Sequence, residues 1–154
     1  MLAILLLLLL SPPVAATDAI AGQATVIDGD TLEIHGQRIR LHGVDAPESR
    51  QSCEDGTGRS YACGRMAAFA LADWIGRAVV TCDPRDRDRY GRIVATCTVR
   101  GEDMSAWLVQ SGHALAFRRY SLDYVGAEDD ARHRGAGIWQ GRFTAPWGWR
   151  RGER

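Results

Sequence analysis

Two apolar runs that flank the turn sequence DRYG constrain the fold of this 154-residue chain more than any other feature. Residues 78–82 (AVVTC) and 92–99 (RIVATCTV) have the composition of β-strands, and residues 88–91 would join them as an antiparallel hairpin. In a regular hairpin Cys82 and Cys97 face each other, because they lie equally far from the turn. Facing residues have Cβ atoms about 5 Å apart, so the sequence predicts a Cys82–Cys97 disulfide.

The other two cysteines are Cys53 and Cys63, at the ends of the loop CEDGTGRSYAC. Four cysteines allow three pairings, and the hairpin favours the one that leaves Cys53 joined to Cys63. A metal site is the weaker alternative, since the chain has no CxxC spacing and its histidines are scattered.

The N-terminus has the pattern of a secretory signal. The apolar run at residues 2–10 is followed by prolines and small residues, with a cleavage position after Ala16. The run is too short to span a bilayer, which needs about 20 apolar residues. A leader that stays attached as a membrane anchor is the alternative. A signal peptide at residues 1–16 and an even number of cysteines together predict a secreted or periplasmic protein.

The spacing of apolar residues predicts both strands and helices. Residues 23–44 alternate apolar and polar, with interruptions at DGD and HGQ, which indicates three antiparallel strands joined by tight turns. Helical spacing and capping residues predict three helices: residues 63–76 ending at Gly76, 103–112 with Asp103 as its cap, and 121–133 with Ser121 as its cap.

The resulting order, βββαββαα, is that of an α+β fold with a small, partly open barrel. The chain has no internal repeat, and its length without the leader is that of one domain. We expect this domain at residues 22–140. The tail at residues 141–154, rich in Trp, Pro and Arg, is expected to be irregular.

The charge of the chain is balanced, with 19 acidic and 19 basic residues. Bulk charge therefore gives no reason to expect binding to nucleic acid or to an anionic membrane, and any polyanion site must be local. All of the basic residues are arginine, whose planar fork can bind phosphate oxygens in a bidentate manner.

Four carboxylates occur in two short stretches, VIDGDT and VDAPE. Strand alternation would place Asp28 and Asp30 on one face, and the fold-back of the third strand would bring Asp45 and Glu48 towards them. Clustered carboxylates repel one another unless a positive charge lies between them, and Ca²⁺ prefers oxygen ligands. The alternative is that DGD is only a turn with solvated acids.

Two arginines favour the functional interpretation. Arg40 lies on the strand that leads to Asp45, and Arg92 follows the DRYG turn. Carboxylates, a divalent ion and two guanidinium groups are the parts needed to hydrolyse a phosphodiester, because they offset charge on the phosphoryl oxygens and activate water.

The motifs VIDGDT, RLHGVDAPE and DRYGR, in this order and followed by GIWQ, resemble the staphylococcal nuclease, or thermonuclease, family. The resemblance covers residues 24–139. It implies an OB-fold, a five-stranded β-barrel with three helices, which agrees with the order of elements expected from the pattern.

The resemblance also implies a calcium site. Asp30 and Asp45 would be direct ligands of Ca²⁺, the backbone carbonyl of Ala46 would be a third, and Asp28 would be an outer-shell acid. The family's best-known member has threonine where this chain has Ala46. A ligand that acts through its carbonyl tolerates this change.

For the substrate, the resemblance implies that Arg40 and Arg92 grip the scissile phosphate and that Glu48 is the general base. Arg89, Tyr90 and Tyr120 match positions that contact the nucleotide. Phe117 stands where the family has a tyrosine, so that position keeps a stacking face and loses a hydroxyl.

The sequence therefore predicts a calcium-dependent, sequence-nonspecific nuclease that hydrolyses DNA and RNA to 3′-phosphate ends. One alternative is a non-catalytic OB-fold module that binds nucleic acid or another partner. A second is a calcium-dependent envelope protein that acts on polysaccharide, although paired arginines suit phosphate better. We expect a monomer with nucleic acid as its partner, no stable protein partner, and membrane contact only through an uncleaved leader.

Overall fold

The computed structural model describes residues 18–153. The predicted signal peptide, residues 1–16, lies outside the described residues. None of the helices formed by residues 18–153 has the length and apolar character needed to cross a membrane.

Sixteen elements of regular structure follow one another along this part of the chain. In order they are β1 (Ile20–Gly22), β2 (Thr25–Asp28), β3 (Thr31–Ile34), β4 (Gln37–Leu41), β5 (Val44–Asp45), β6 (Cys53–Glu54), β7 (Ser60–Tyr61), α1 (Cys63–Ile75), β8 (Val80–Arg87), β9 (Ile93–Val99), β10 (Glu102–Asp103), α2 (Met104–Gln110), β11 (Leu115–Ala116), α3 (Val125–Arg134), a 3-10 helix (Gly137–Gln140) and α4 (Pro146–Arg150).

The three strands predicted between residues 23 and 44 are confirmed as β2, β3 and β4. Two-residue turns join them, because Asp28 pairs with Thr31 and Ile34 pairs with Gln37. In the second turn Gly36 has a φ of 74°, a left-handed conformation that glycine adopts without strain.

The predicted hairpin is confirmed as β8 and β9, and its register pairs Cys82 with Cys97. A bulge between Pro84 and Asp86 shifts the register by one residue near the turn. Both predicted disulfides, Cys53–Cys63 and Cys82–Cys97, are present.

The large sheet has the strand order β1-β8-β9-β4-β3-β2, and β10 pairs with β9. Strand β9 runs parallel to β4, whereas the other pairs are antiparallel. The five strands β2, β3, β4, β9 and β8 form the OB-type arrangement that the sequence predicts, and β1 and β10 extend it.

Alternate residues of these strands fill the barrel. In β9 every second residue, from Ile93 to Val99, is buried. Helices α1 and α2 cover the barrel with Leu71 and Leu108, which are fully buried. The predicted cap of α2 is confirmed, since the Asp103 carboxylate accepts the N–H of Ala106.

The predicted start of the third helix is wrong. Helix α3 begins at Val125, and the Ser121 hydroxyl instead accepts the N–H of Asp123. The local turn formed by Ser121 therefore competes with a helix N-terminus at this position.

The expectation of an irregular tail is also wrong in part, since residues 146–150 form α4. Pro146 stands in its first turn, where a missing N–H costs no helical hydrogen bond.

The C-terminal segment, residues 137–153, packs on a second apolar cluster beside the barrel. This cluster combines the Cys53–Cys63 disulfide with Leu115 and Ile138. Regular structure thus extends beyond residues 22–140 at both ends.

Candidate active site

One groove at the surface of the barrel gathers the predicted site residues. Asp28, Asp30, Arg40, Ala46, Glu48, Arg89, Tyr90, Arg92 and Tyr120 all line it. Asp45 lies beneath it and has no exposed surface. Nine arginines and five carboxylates line the groove, so positive charge is concentrated there although the chain as a whole is neutral.

Asp30 lies in the turn between β2 and β3 and not in a strand. The prediction that strand alternation aligns it with Asp28 is therefore wrong in its reasoning, although both acids line the groove. Asp28 ends β2, and its Oδ1 accepts the N–H of Asp30 at 3.2 Å. The alternative that the DGD acids are merely solvated does not hold for Asp30, because only 4% of this residue is exposed.

The buried Asp30 carboxylate is held by three donors. Its Oδ1 accepts hydrogen bonds from Thr31 Oγ1 and Arg40 Nη1, each at 3.1 Å. Its Oδ2 accepts the N–H of Ala46 at 2.9 Å. Burial raises the pKa of Asp30 to about 7, with further increases from Asp28 and Asp45, although Arg40 opposes them.

Arg40 bridges the two buried aspartates. The register of β3 and β4 places it opposite Thr31, next to the turn that carries Asp30. Its Nη2 donates to Asp45 Oδ1 at 3.1 Å and to the Val44 carbonyl at 3.3 Å. Burial alone would lower the pKa of Arg40, but Asp30 and Asp45 raise it above its ordinary value.

Arg150 is a site residue that the sequence analysis missed. It lies at the end of α4, and its guanidinium binds both oxygens of Asp45, with Nη2 to Oδ2 at 2.7 Å and Nη1 to Oδ1 at 3.1 Å. Its Nη1 also donates to Glu48 Oε1 at 2.6 Å. The hydrogen bond that Arg150 donates to Asp45 is the main reason that the pKa of Arg150 is raised. Pro146 followed four residues later by an arginine is the sequence signal for this helix.

The loop that carries Glu48 is fixed by a buried glutamine. Gln51 Oε1 accepts the N–H of Glu48 at 3.2 Å, and its Nε2 donates to the Thr144 carbonyl at 2.6 Å. Gly64, in the first turn of α1, has its Cα against the Glu48 carbonyl, where a Cβ would collide with the backbone. The loop is therefore held between α1 and the C-terminal segment. No sequence pattern identified Gln51.

Arg92 approaches the same groove from the position directly before β9. Asp88 holds it through an ion pair to Nε at 2.6 Å and accepts its N–H at 3.0 Å. Arg92 Nη1 lies 3.4 Å from Thr31 Oγ1, beside the Asp30 turn. Arg40 and Arg92 thus reach the groove from neighbouring parallel strands.

The remaining predicted contact residues are exposed. Tyr90 is 69% exposed, and the guanidinium groups of Arg89 and Arg92 lie 5.0 and 5.6 Å from the centre of its ring. Tyr120 is 64% exposed and contacts Phe117 edge to face. Phe117 also stacks on Trp147 of α4. Aromatic faces therefore border the groove in two places, beside Arg89 and Arg92 and beside the helix that carries Arg150.

The donor set suits a hard dication, although the predicted cluster of four carboxylates is not formed as such. No group of three or more acidic, histidine or cysteine side chains is arranged to hold a metal within residues 18–153, because arginines lie between the acids. The available ligands are carboxylate and carbonyl oxygens, which Ca²⁺ prefers. Burial and the neighbouring carboxylates of Asp28 and Asp45 raise the pKa of Asp30, and a cation bound beside it would have the opposite effect. Ala46 contributes its N–H to Asp30, and the role of its carbonyl stays a prediction.

Comparison with known proteins gives relatives over nearly the whole chain. A "Succinoglycan biosynthesis protein ExoI" of Rhizobium meliloti is 43% identical over 141 residues, covering 90% of this chain and 74% of its own length. An "Uncharacterized endonuclease" of Escherichia coli is 30% identical over 154 residues, covering 95% and 94%. A "Micrococcal nuclease" of Shigella flexneri is 31% identical over 144 residues, covering 82% and 77%.

The family model described as "Staphylococcal nuclease homologue" matches residues 38–141. This span includes Arg40 on β4, the stretch from Asp45 to Glu48, and Arg92 directly before β9. The match also agrees with the OB-type strand order of the barrel. The chain therefore belongs to the staphylococcal nuclease family.

Proposed function

We propose that this protein is a calcium-dependent, sequence-nonspecific nuclease that cleaves DNA and RNA to 3′-phosphate ends. The observation that carries the proposal is that Arg40 and Arg92 reach one arginine-lined groove beside the buried pair of Asp30 and Asp45. Membership of a nuclease family supports hydrolysis as the reaction.

Asp30, Asp45 and the carbonyl of Ala46 would hold Ca²⁺, with Asp28 as an outer-shell acid. When bound, the ion would polarise a phosphoryl oxygen and offset the negative charge of the phosphate. Asp30 keeps its position because the Ala46 N–H and the Thr31 hydroxyl orient its oxygens.

Arg40 and Arg92 would donate to the non-bridging oxygens of the scissile phosphate. Guanidinium groups offset the charge that grows on these oxygens as water attacks. Glu48 would orient that water or accept its proton. About 35% of the Glu48 side chain is exposed, so water reaches it, and Gln51 fixes its backbone.

The exposed residues would contact the rest of the substrate. Arg89 and Tyr90 lie on the β8–β9 turn, and Tyr120 lies across the groove near Phe117. Aromatic faces stack on bases without regard to sequence, and arginines neutralise phosphates. Binding to a single strand or a frayed duplex should therefore weaken as salt rises.

The two disulfides fit an oxidising compartment, and we propose that the protein acts after export to the periplasm or medium. We also propose that it acts as a monomer. Nothing in the mechanism requires a second chain, since one groove carries all of the named groups.

The test is digestion of single-stranded DNA and RNA by the purified protein, with calcium or with chelator. Glu48→Gln and Arg92→Ala should each lower kcat at least about 100-fold, since general-base and charge-stabilising groups contribute effects of this size. Arg77→Ala, which removes an exposed arginine outside the groove, is the matched control and should retain activity.

Two other results would replace the proposal. Salt-dependent binding of nucleic acid without cleavage would identify a non-catalytic module. The Rhizobium meliloti relative is named for succinoglycan biosynthesis, so a succinoglycan substrate belongs in the same assay. Calcium-dependent cleavage of that polymer, with nucleic acid left intact, would favour the polysaccharide alternative.

A further inference from the structure

We propose that the Arg150 guanidinium competes with Ca²⁺ for the Asp45 carboxylate. Arg150 must leave Asp45 before the ion can bind. This inference rests on the proposed function and concerns the regulation of the same site. It assigns a role to the C-terminal segment, which lies largely outside the span matched by the family model.

The first argument is geometric. Arg150 covers both oxygens of Asp45, at 2.7 and 3.1 Å, and Asp45 has no exposed surface through which another ligand could approach. Asp45 Oδ1 also accepts from Arg40. Any other cation that used Asp45 as a direct ligand would therefore compete with a guanidinium group for its oxygens.

The second argument is electrostatic. Asp45 binds two guanidinium groups, and both would repel a dication, most strongly where burial excludes water. The departure of Arg150 would remove one of these two repulsions. Arg150 also holds Glu48 Oε1 at 2.6 Å. In this arrangement Arg150 supplies the positive charge that a metal would supply and occupies an oxygen of the proposed base. We call this arrangement, in which Arg150 binds both Asp45 and Glu48, the latched state of the site.

The third argument distinguishes the two arginines that contact Asp45. The Arg40 side chain is 17% exposed and is fixed by Asp30, Asp45 and the Val44 carbonyl. The Arg150 side chain is 39% exposed and donates hydrogen bonds to the carboxylates of Asp45 and Glu48. Arg150 is therefore the more exposed of the two and, unlike Arg40, does not join the two buried aspartates, so we expect it to be the more easily displaced.

The segment that carries Arg150 is itself well anchored. Pro146 and Gly148 of α4 are buried, Trp147 stacks on Phe117, and the Thr144 carbonyl is bound by Gln51. This anchoring keeps the guanidinium at high local concentration beside Asp45. Low calcium then leaves the site latched, and high calcium displaces Arg150 by mass action.

The test is calcium binding measured by titration calorimetry. Arg150→Met keeps much of the aliphatic stem and removes the fork, so its calcium affinity should rise about tenfold or more, because charged hydrogen bonds to Asp45 need no longer be broken. Arg151→Met is the matched control: it removes one charge from the neighbouring position, where the arginine pairs with Glu153. It shares the long-range electrostatic effect and should change the affinity far less.

Thermal unfolding gives a second readout that does not depend on activity. In chelator Arg150→Met should melt below Arg151→Met, since Asp45 and Glu48 lose their shared cation. Saturating calcium should then raise the melting temperature of Arg150→Met more than that of the wild type, because stabilisation follows the affinity for the folded state. Arg150→Lys keeps the charge but loses the fork, and its calcium affinity should rise by a smaller factor.

The outcomes separate the inference from the proposed function. If Arg150→Met binds calcium no more tightly than Arg151→Met, while the wild type still needs calcium for cleavage, the latch is refuted and the nuclease proposal stands. If no variant binds calcium, the metal site fails and the latch fails with it. Should Arg150→Met not fold, the same comparison between Arg150→Lys and Arg151→Met decides.

Discussion

The barrel and the C-terminal segment deliver an arginine to the same carboxylate in different ways. Arg40 projects from the middle of a sheet, where its backbone is paired with β3 on one side and β9 on the other. Arg150 projects from the end of the five-residue α4, where Trp147 stacks on Phe117 and Gln51 binds the nearby Thr144 carbonyl. Backbone pairing leaves a side chain little freedom, whereas a short helix on a small cluster leaves it more.

This difference divides the positive charge of the site into a permanent part and an exchangeable part. Arg40 contacts Asp30 and Asp45 together, and its backbone belongs to the central sheet. Arg150 touches Asp45 and Glu48, the two acids nearest to the C-terminal segment. The comparison predicts that replacing Arg40 lowers the free energy of unfolding more than replacing Arg150 does.

The largest expected effect is on the stability of the Arg40→Met variant. Loss of the Arg40 guanidinium leaves Asp30 and Asp45 buried without their shared partner. Breaking a buried ion pair in this way costs about 3 to 5 kcal/mol. Arg150→Met should cost about 1 kcal/mol, since its guanidinium is partly solvated. The free energy of unfolding, measured by urea denaturation in chelator at about pH 8, checks the ranking.

Arg38→Met is the control for Arg40→Met, because it lies on the same strand with an exposed side chain. Its effect on the free energy of unfolding should be within about 0.5 kcal/mol of zero. A cost of Arg150→Met equal to that of Arg40→Met would remove the distinction between a permanent and an exchangeable cation.

The second prediction concerns Gly64, where α1 of the barrel domain meets the Glu48 loop. In Gly64→Ala the new Cβ would collide with the Glu48 carbonyl, and neither partner is a flexible side chain. Overpacking of this kind costs about 2 to 3 kcal/mol and displaces the loop. We expect lower stability together with a lower kcat on single-stranded DNA.

The control for Gly64→Ala is Gly126→Ala, also within a helix. A Cβ on Gly126 meets nothing within 4 Å, so alanine should be neutral or stabilise α3 by up to about 1 kcal/mol. If Gly64→Ala behaves in the same way, the Glu48 loop is not fixed by α1. Its position would then depend on the C-terminal segment alone.

The predictability of the two regions differs for the same physical reason. Strands β2 to β4 and the β8–β9 hairpin follow from a period of two and from turn residues, and both signals are local. Asp30, Arg40, Asp45 and Glu48 lie in or beside the motifs that resemble the family, so they could be named from the sequence. The reasoning for Asp30 failed, because a turn and not a pleat directs its side chain, and the cluster of four carboxylates failed because arginines lie between the acids.

The C-terminal segment depends on contacts that no local pattern encodes. Arg150 meets Asp45 across 105 residues, and Gln51 meets Thr144 across 93. Such contacts are selected by how irregular segments pack on the Cys53–Cys63 cluster, which composition and periodicity do not describe. Pro146 at the start of α4 was the one usable signal.

The smallest predicted effect tests what fastens the C-terminal segment. Gln51→Leu removes the partners of the Glu48 N–H and the Thr144 carbonyl, and unsatisfied buried groups cost about 2 kcal/mol. We expect faster hydrogen exchange at Glu48 and faster proteolysis near Thr144, with the barrel amides unchanged.

Arg142→Ala is the control, because its ion pair with Glu54 is largely solvated and contributes less than about 1 kcal/mol. If Arg142→Ala loosens the segment as much as Gln51→Leu does, surface charge and not the buried glutamine fastens it, and the anchored helix assumed for Arg150 would not exist.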